Sequence, residues 1–306
     1  MKTKSLSPAR AARTVAFLSD ERRPYSRGRF EEEARPLGLS VSWLHPQHFD
    51  LLVDSEEVKT FYRSRTLAVP DAFVPRTGSD TTMFARAIIR QMESTPGVAV
   101  INSSDAIVAA RDKLLAHQLL AAGGVPFPKT VLARQPSDVA KMVRLVGGPP
   151  VILKLLSGTH GKGVMLGKNL DEIQASLETV WALNQTLLIQ EYIDHDPGAD
   201  IRVLVVGGRV LGAMKRTAQL GRFRANVHQG AHVEPYPLSD ELEWLALQAA
   251  EVMALDIAGV DLVESRNGHL VIEVNSAPGF EGFEKATGKN VAAEILRYVR
   301  FRFKSA

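Results

Sequence analysis

The sequence predicts an α/β protein: two mixed α+β lobes preceded by a small parallel α/β domain. Three observations predict it. Short apolar strands alternate with helix-prone stretches over the first hundred residues, the pattern of a parallel sheet with crossover helices. Residues 151–166, VILKLLSGTHGKGVML, join two apolar runs through a glycine-rich loop. Residues 261–275, DLVESRNGHLVIEVN, read as a β-hairpin carrying two carboxylates and an amide.

Composition sets the frame. A chain of 306 residues suggests two or three domains, and 45% apolar with 23% charged residues is ordinary for a globular protein. The net charge of +3, from 37 basic against 34 acidic residues, does not point to nucleic acid, and no recognisable nucleic-acid module is present. No apolar run approaches the ~20 residues that span a bilayer. The opening MKTKSLSPARAAR is basic without the apolar core of a secretory signal, and reads as a flexible tail. The lack of cysteine excludes disulfides, thiol catalysis and cysteine–zinc sites, with cytoplasm as the default location.

In chain order, residues 14–18 read as a strand, 25–36 as a polar helix and 39–44 as a strand. A short strand at 72–74 leads into the loop Pro75-Arg76-Thr77-Gly78-Ser79 and a helix near 81–92; a strand at 98–101 ends at Asn102-Ser103. Glycines at these strand ends are too few for a dinucleotide fold. One helix is expected over 105–122, stopped by Gly123-Gly124, and Pro126 and Pro128 force an extended path into a strand at 129–132. A helix near 136–145, the lysine strand at 151–156, the glycine loop, a helix at 170–183 and a strand at 187–190 follow. A strand at 200–206 then turns at Gly207-Gly208, a strong hairpin signal, and returns through 209–215. After a basic irregular stretch at 215–232 come a helix at 239–255, the carboxylate hairpin and a last helix near 290–303. The domains are expected at 1–103, with 1–12 flexible, then 104–190 and 191–306.

The hairpin carries the chemistry. Glu273 and Asn275 lie two apart and share a strand face. A two-residue turn at Asn267-Gly268 would pair Asp261 with Val274 and send it to the other face. A three-residue loop, Arg266-Asn267-Gly268 with Gly268 at positive φ, pairs Asp261 with Glu273, and this geometry is expected. Asp261, Glu273 and Asn275 are then hard oxygen ligands of the kind Mg²⁺ prefers.

Upstream, Gly158, Gly161 and Gly163 with Lys162 can cradle phosphate oxygens as a flap between two strands. Taken alone, a glycine-rich hairpin with an exposed lysine reads equally well. Lys154 interrupts an apolar strand, so its ammonium must reach a phosphate, another partner or water; snorkelling from an edge strand is the alternative. Gln190-Glu191-Tyr192-Ile193 falls where an interlobe hinge would meet adenine through backbone groups. Arg202, Arg216 and Arg224 surround the basic stretch, and arginine suits carboxylate and phosphate.

Taken together, these segments resemble the ATP-grasp carboxylate–amine ligases, and within them the RimK-type α-L-glutamate ligases. The resemblance rests on AARDKL (109–114), VILKLLSGTHGKGV (151–164), IQEYI (189–193), ADIRVLVVGGRVLGAMKR (199–216), FRANVHQGA (223–231), AGVDLVE (258–264) and IEVNSAPGFEGFEKATG (272–288), and reaches PRTGS (75–79). It covers nearly the whole chain. It implies an ATP-grasp fold behind a pre-ATP-grasp domain. It implies that Lys154 contacts ATP phosphates, with Lys113, Gly161, Lys162 and Gly163 also at the nucleotide. Glu191 and Tyr192 would supply the adenine hinge, Asp200 would bind ribose, and Arg224-Ala225-Asn226 would lie by phosphates and substrate. RimK-type ligases often have Ser where Ala225 stands, which removes one hydroxyl contact and leaves Arg224 and Asn226. Asp261, Glu273 and Asn275 would hold two Mg²⁺ or Mn²⁺ ions.

The resemblance implies an enzyme that activates a carboxylate as an acyl phosphate and transfers it to an amine, with Arg202, Arg216, Arg224 and Asn226 around the reacting groups. Glutamate is the implied amino acid, and the implied acceptor is a protein or peptide C-terminus such as that of a small-subunit ribosomal protein. Ligation to a small molecule, a carrier protein or a precursor peptide is the alternative within the class, and a non-catalytic nucleotide-binding module is the alternative outside it. Family members often assemble as tetramers, which implies a homo-oligomer; no sequence feature fixes the assembly.

Overall fold

The computed structural model describes residues 12–19, 24–55, 58–77, 83–133, 138–156, 163–219 and 231–303. The chain opens with β1 (Arg13–Leu18), α1 (Pro24–Ala34) and β2 (Leu39–Leu44). Next come β3 (Phe49–Val53), β4 (Val58–Tyr62), β5 (Arg65–Thr66), β6 (Ala72–Pro75), α2 (Met83–Glu93) and β7 (Ala99–Val100). The strands β2-β1-β6-β7 form the expected parallel sheet. Strands β3, β4 and β5 form an antiparallel sheet that the sequence reading did not anticipate. Their pattern is blurred by Asp50, Lys59 and Arg65, and neither face alternates cleanly.

The single helix expected over 105–122 is two: α3 (Ser104–Arg111) and α4 (Lys113–Ala122). Asp112 causes the break. It leaves the helical region at φ −76°, ψ 103°, caps α3, and accepts hydrogen bonds from Leu114 N at 3.0 Å and Leu115 N at 3.1 Å. A carboxylate that satisfies two N-terminal amides makes a better cap than an interior helical residue. Lys113 thereby becomes the first residue of α4.

The next sheet holds β8 (Thr130–Ala133), β9 (Val151–Leu155), β10 (Val164–Gly167) and β11 (Leu187–Glu191), with α5 (Val139–Leu145) and α6 (Leu170–Ala182). Its order is β10-β9-β11-β8. Val151, Leu153, Leu187 and Ile189 pack with Val143, Ile173 and Leu177 of the two helices. Strand alternation sends Ile152, Lys154, Leu188 and Gln190 to the other face.

The third unit comprises β12 (Ala199–Val206), β13 (Arg209–Thr217), β14 (His232–Tyr236), α7 (Asp240–Val252), β15 (Ile257–Ser265), β16 (Gly268–Asn275), α8 (Glu281–Thr287) and α9 (Val291–Arg302). The sheet order is β14-β13-β12-β15-β16. The stretch read as irregular is strand at both ends, since β13 runs on to Thr217 and the edge strand β14 begins at His232; α8 is a seven-residue helix too short for a periodic signal. One sheet face, with Val203, Val205, Val260, Leu262 and Val274, packs on Leu242, Leu245 and Ala249 of α7. The other face is divided. At one end Leu204, Val206 and Met214 join Phe280, Phe283 and Val299 and, beyond them, Phe17 and Val15 of the parallel sheet. Toward the other end, the same face turns polar.

The β15–β16 turn differs from its expected form. Ser265 pairs with Gly268, so the loop is the two residues Arg266-Asn267 rather than three, although Gly268 does have positive φ at +110°. A regular ladder from that turn would set Ile272 opposite Asp261. A β-bulge restores the expected pairing: Leu262 pairs with Val271, Asp261 pairs with Glu273, and Ile272 is the extra residue. The Asp261–Glu273 pairing stands, but the bulge produces it instead of the turn.

Candidate active site

The polar end of the divided face is built by register. Asp200 pairs with Arg216 across β12–β13, Arg202 pairs with Asp261 across β12–β15, and Asp261 pairs with Glu273 across β15–β16. Paired residues share a face, so these side chains form one row across four strands. Gly259 pairs with Asn275 one step along.

The row is an ionic network. Arg202 donates to both oxygens of Asp261, from Nε and Nη2, at 2.6 Å each. Arg216 Nη2 reaches Asp261 Oδ2 at 3.0 Å, while its Nε donates to Asp200 Oδ1. Asn275 Nδ2 lies 3.4 Å from Asp261 Oδ2. Asp261 and Arg216 are buried. Burial works to raise the Asp261 carboxyl pKa, but Arg202 and Arg216 outweigh it and hold the group below the usual carboxylate range. Asp200 goes the other way: burial pushes it up to about 6 against the pull of Arg216. Burial opposes the Arg216 charge, yet Asp261 and Asp200 raise its pKa overall.

Across from this face stands Lys154, on the side of its sheet turned away from α5 and α6. Burial pushes its ammonium down to about 8, with Glu273 and Asp261 pulling upward and Lys113 pushing down. Lys154 is thus within electrostatic reach of Glu273, Lys113 and Asp261. Glu191 N donates to Lys129 O at 2.8 Å and its carboxylate accepts from Lys129 N at 3.1 Å, so its side chain is engaged with the backbone of the β8 approach. Tyr192 follows β11 directly. Gly163 has φ +80°, and a Cβ there would lie 2.5 Å from Leu155 Cδ1. Gly161, Lys162, Arg224, Ala225 and Asn226 lie outside the described residues.

One group escaped the sequence reading. His117, one turn after Lys113 on α4, is buried; its Nδ1 meets the Lys113 carbonyl and its Nε2 lies 3.1 Å from Gln190 Nε2. Both partners fit a neutral ring with the proton on Nδ1. Burial lowers its pKa, and Lys154 and Lys113 lower it further. The available signal was its i+4 spacing from Lys113, which depended on recognising that a new helix begins there.

The donor chemistry fits a hard divalent ion. Among the described residues no group of three or more His, Cys, Asp or Glu gathers for a metal. Two carboxylates and one amide are available, a set suited to Mg²⁺ when substrate phosphates complete the shell. Among the described residues no helix is long and apolar enough to cross a membrane.

The class of protein is that of the ATP-dependent ligases of ATP-grasp architecture. The family models agree: a RimK-like ATP-grasp domain matches residues 110–299 and a RimK PreATP-grasp domain matches residues 14–107. A probable alpha-L-glutamate ligase of Aeromonas salmonicida is 42% identical over 288 residues, covering 94% of this chain and 96% of that protein. A probable alpha-L-glutamate ligase 2 of Pseudoalteromonas atlantica is 41% identical over 285 residues, covering 93% and 94%. The chain belongs to the RimK-like ATP-grasp family. The fold is also that of the ATP-grasp ligase PsnB complexed with minimal precursor, at TM-score 0.73 and 20% identity over 94% of this chain and 98% of that one. D-alanyl-alanine synthetase A of Vibrio cholerae superposes at TM-score 0.74 and 14% identity, over 97% and 100%.

Proposed function

We propose that this enzyme uses ATP to join the amine of L-glutamate to a carboxylate at the C-terminus of a protein or peptide, a small-subunit ribosomal protein being the acceptor that the family suggests. The observation that carries the reading is the Arg202–Asp261–Arg216–Asp200 row facing Lys154. The names of the relatives support glutamate as the amino acid.

A carboxylate is a poor acyl donor because its leaving group would be oxide. Attack of a carboxylate oxygen on the γ-phosphorus of ATP forms an acyl phosphate and releases ADP. The amine then attacks the acyl carbon, the carbon–oxygen bond to phosphate breaks, and the amine loses a proton as the amide forms. Lys154 and Lys113 supply positive charge to the phosphates. Arg202 and Arg216 hold the substrate carboxylate and stabilise the oxyanion of the tetrahedral intermediate. Asp200, Asp261 and the guanidiniums fix each other, so these dipoles are set before substrate arrives. Glu191 and Tyr192 offer hinge backbone to adenine, with Gly163 at the edge of the phosphate loop. Asp261, Glu273 and Asn275 would hold two Mg²⁺ or Mn²⁺ ions, which would neutralise phosphate charge during transfer. Arg224, Ala225, Asn226, Gly161 and Lys162 belong to the same reading through the family pattern alone. Cytoplasmic location and a homo-oligomer complete it.

The test is ADP release with Mg²⁺ or Mn²⁺, across single amino acids combined with peptide acceptors. Glutamate- and peptide-dependent turnover is expected. Turnover with a small molecule or carrier protein alone would move the acceptor assignment. ATP binding without phosphate release for any acceptor would favour a regulatory module.

A further inference from the structure

The residues that follow Asn275 are held from a distant part of the chain. Asn102, at the end of the parallel sheet and 2% exposed, accepts from Ile257 N at 2.9 Å through its Oδ1. Its Nδ2 donates to Ile257 O and to Ser276 O, both at 2.8 Å. Ile257 opens β15, the strand of Asp261, and Ser276 comes directly after the end of β16. The last paired rung of that hairpin is Gly259 with Asn275. A continued ladder would set residue 277 opposite Ile257, but the chain turns away toward Pro278, which has no N–H to donate. The Asn102 carboxamide fills that rung, bonding both backbone groups of Ile257 as a strand neighbour would.

A second contact reaches the same segment. Arg76, buried just past β6, donates from Nη2 to Pro278 O at 2.7 Å, its guanidinium 5.8 Å from the ring centres of both Phe30 and Phe280. Pro278 also packs on Gly259, where a Cβ would lie 2.7 Å from the Pro278 Cβ. The turn after Asn275 is therefore fixed on three sides, two of them supplied by strand ends of the parallel sheet.

We propose that Asn102 and Arg76 are positioning residues for the cation-binding end of the hairpin: by holding Ile257, Ser276 and Pro278, they fix how Asn275 and Glu273 meet the ion that accompanies the nucleotide. The inference rests on the reading that Asp261, Glu273 and Asn275 hold that ion. It gives the parallel sheet a part in the chemistry. Groups that orient metal ligands cost about tenfold or more in metal affinity when removed.

The experiment is calorimetric ADP binding to the full-length protein, with and without Mg²⁺, for the parent and for Asn102→Ala, Arg76→Met and Glu273→Gln. Arg76→Met keeps an apolar stem between the two phenylalanines. Binding without Mg²⁺ should match the parent, while the gain in affinity on adding Mg²⁺ should fall about tenfold in Asn102→Ala and in the same direction in Arg76→Met. Loss of the gain in Glu273→Gln with full retention in both positioning variants overturns the inference and leaves the metal reading intact. Full retention in Glu273→Gln overturns the metal reading itself. Should the positioning variants not fold, amide exchange of the unaltered protein decides: Mg²⁺ with ADP should slow exchange at Ile257 N, and an unchanged rate would refute the coupling.

Discussion

Arg202 holds Asp261 by both carboxylate oxygens at 2.6 Å, so the carboxylate assigned to the cation is already committed to a guanidinium. Arg216 adds a third contact at 3.0 Å. Asn275 Nδ2 makes a fourth contact, 3.4 Å from Oδ2, so of the carboxylate's four or so acceptor sites the open one is on Oδ1, which takes only Arg202 Nε. The pair also forces a choice of substitution, since lysine cannot reproduce a two-pronged contact.

Arg202→Lys should therefore lower kcat/KM for ADP release on the order of a hundredfold, the scale of a roughly 1 Å misplacement at a reacting centre. Steady-state kinetics at saturating Mg²⁺ would check this. Parent-like kinetics would show that the bidentate grip has no part in catalysis.

Lys154 gives a pH dependence with a definite sign. Its pKa is about 8 in the fold and ~10.4 in an unfolded chain. Between those values the unfolded chain holds more protons, so stability should rise with pH through that window and be level in this respect below about 8. Metal-free ADP affinity should run oppositely, weakening as pH rises through 8 and the ammonium is lost. Lys154→Arg, which stays charged, should flatten the binding profile; an equally steep profile in that variant would assign the titration elsewhere.

Gly163 sits at φ +80° with Leu155 Cδ1 2.5 Å from any added Cβ. Gly163→Ala should cost about 1–3 kcal/mol of stability from backbone strain, read as a lower urea midpoint. An unshifted midpoint would mean that the loop end relaxes freely.

Glu284 joins α1 to the C-terminal helices. Its carboxylate accepts from Tyr25 Oη at 2.7 Å, Arg29 Nε at 3.0 Å, Val291 N at 2.7 Å and Ala292 N at 3.2 Å. Burial and this contact push the Tyr25 hydroxyl up to about 12. Glu284→Ala should destabilise by about 1–3 kcal/mol, the cost of leaving the buried Val291 and Ala292 amides without their acceptor. Metal-free ADP binding by the folded fraction should be unaffected, which separates this residue from the site.

The parts of the fold that were legible in the sequence are those with a local signal. The Gly207-Gly208 turn has both glycines at positive φ, and Val206 pairs with Arg209 across it. Val151 to Leu155 and the shared face of Glu273 and Asn275 follow from alternation, whereas the pairing of Arg202 with Asp261 is a register between strands far apart in the chain. What stayed hidden depends on competition between distant groups. Asp112 ends one helix and starts another because its side chain captures two amides, an outcome that an apolar pattern cannot register. The bulge at Ile272 arises in the ladder itself, with the loop one residue shorter than Asn267-Gly268 suggested. Asn102 and Ile257 lie 155 positions apart, and only the fold joins them.

Glutamyl transfer is read out by intact-mass analysis of candidate peptide and ribosomal-protein acceptors after incubation with the enzyme, ATP, Mg²⁺ and mixed amino acids. An acceptor that gains one or more glutamyl residues, with one ADP released for each, is the expected result. ADP release without a mass gain, or no ADP release with any amino acid and acceptor, would contradict it.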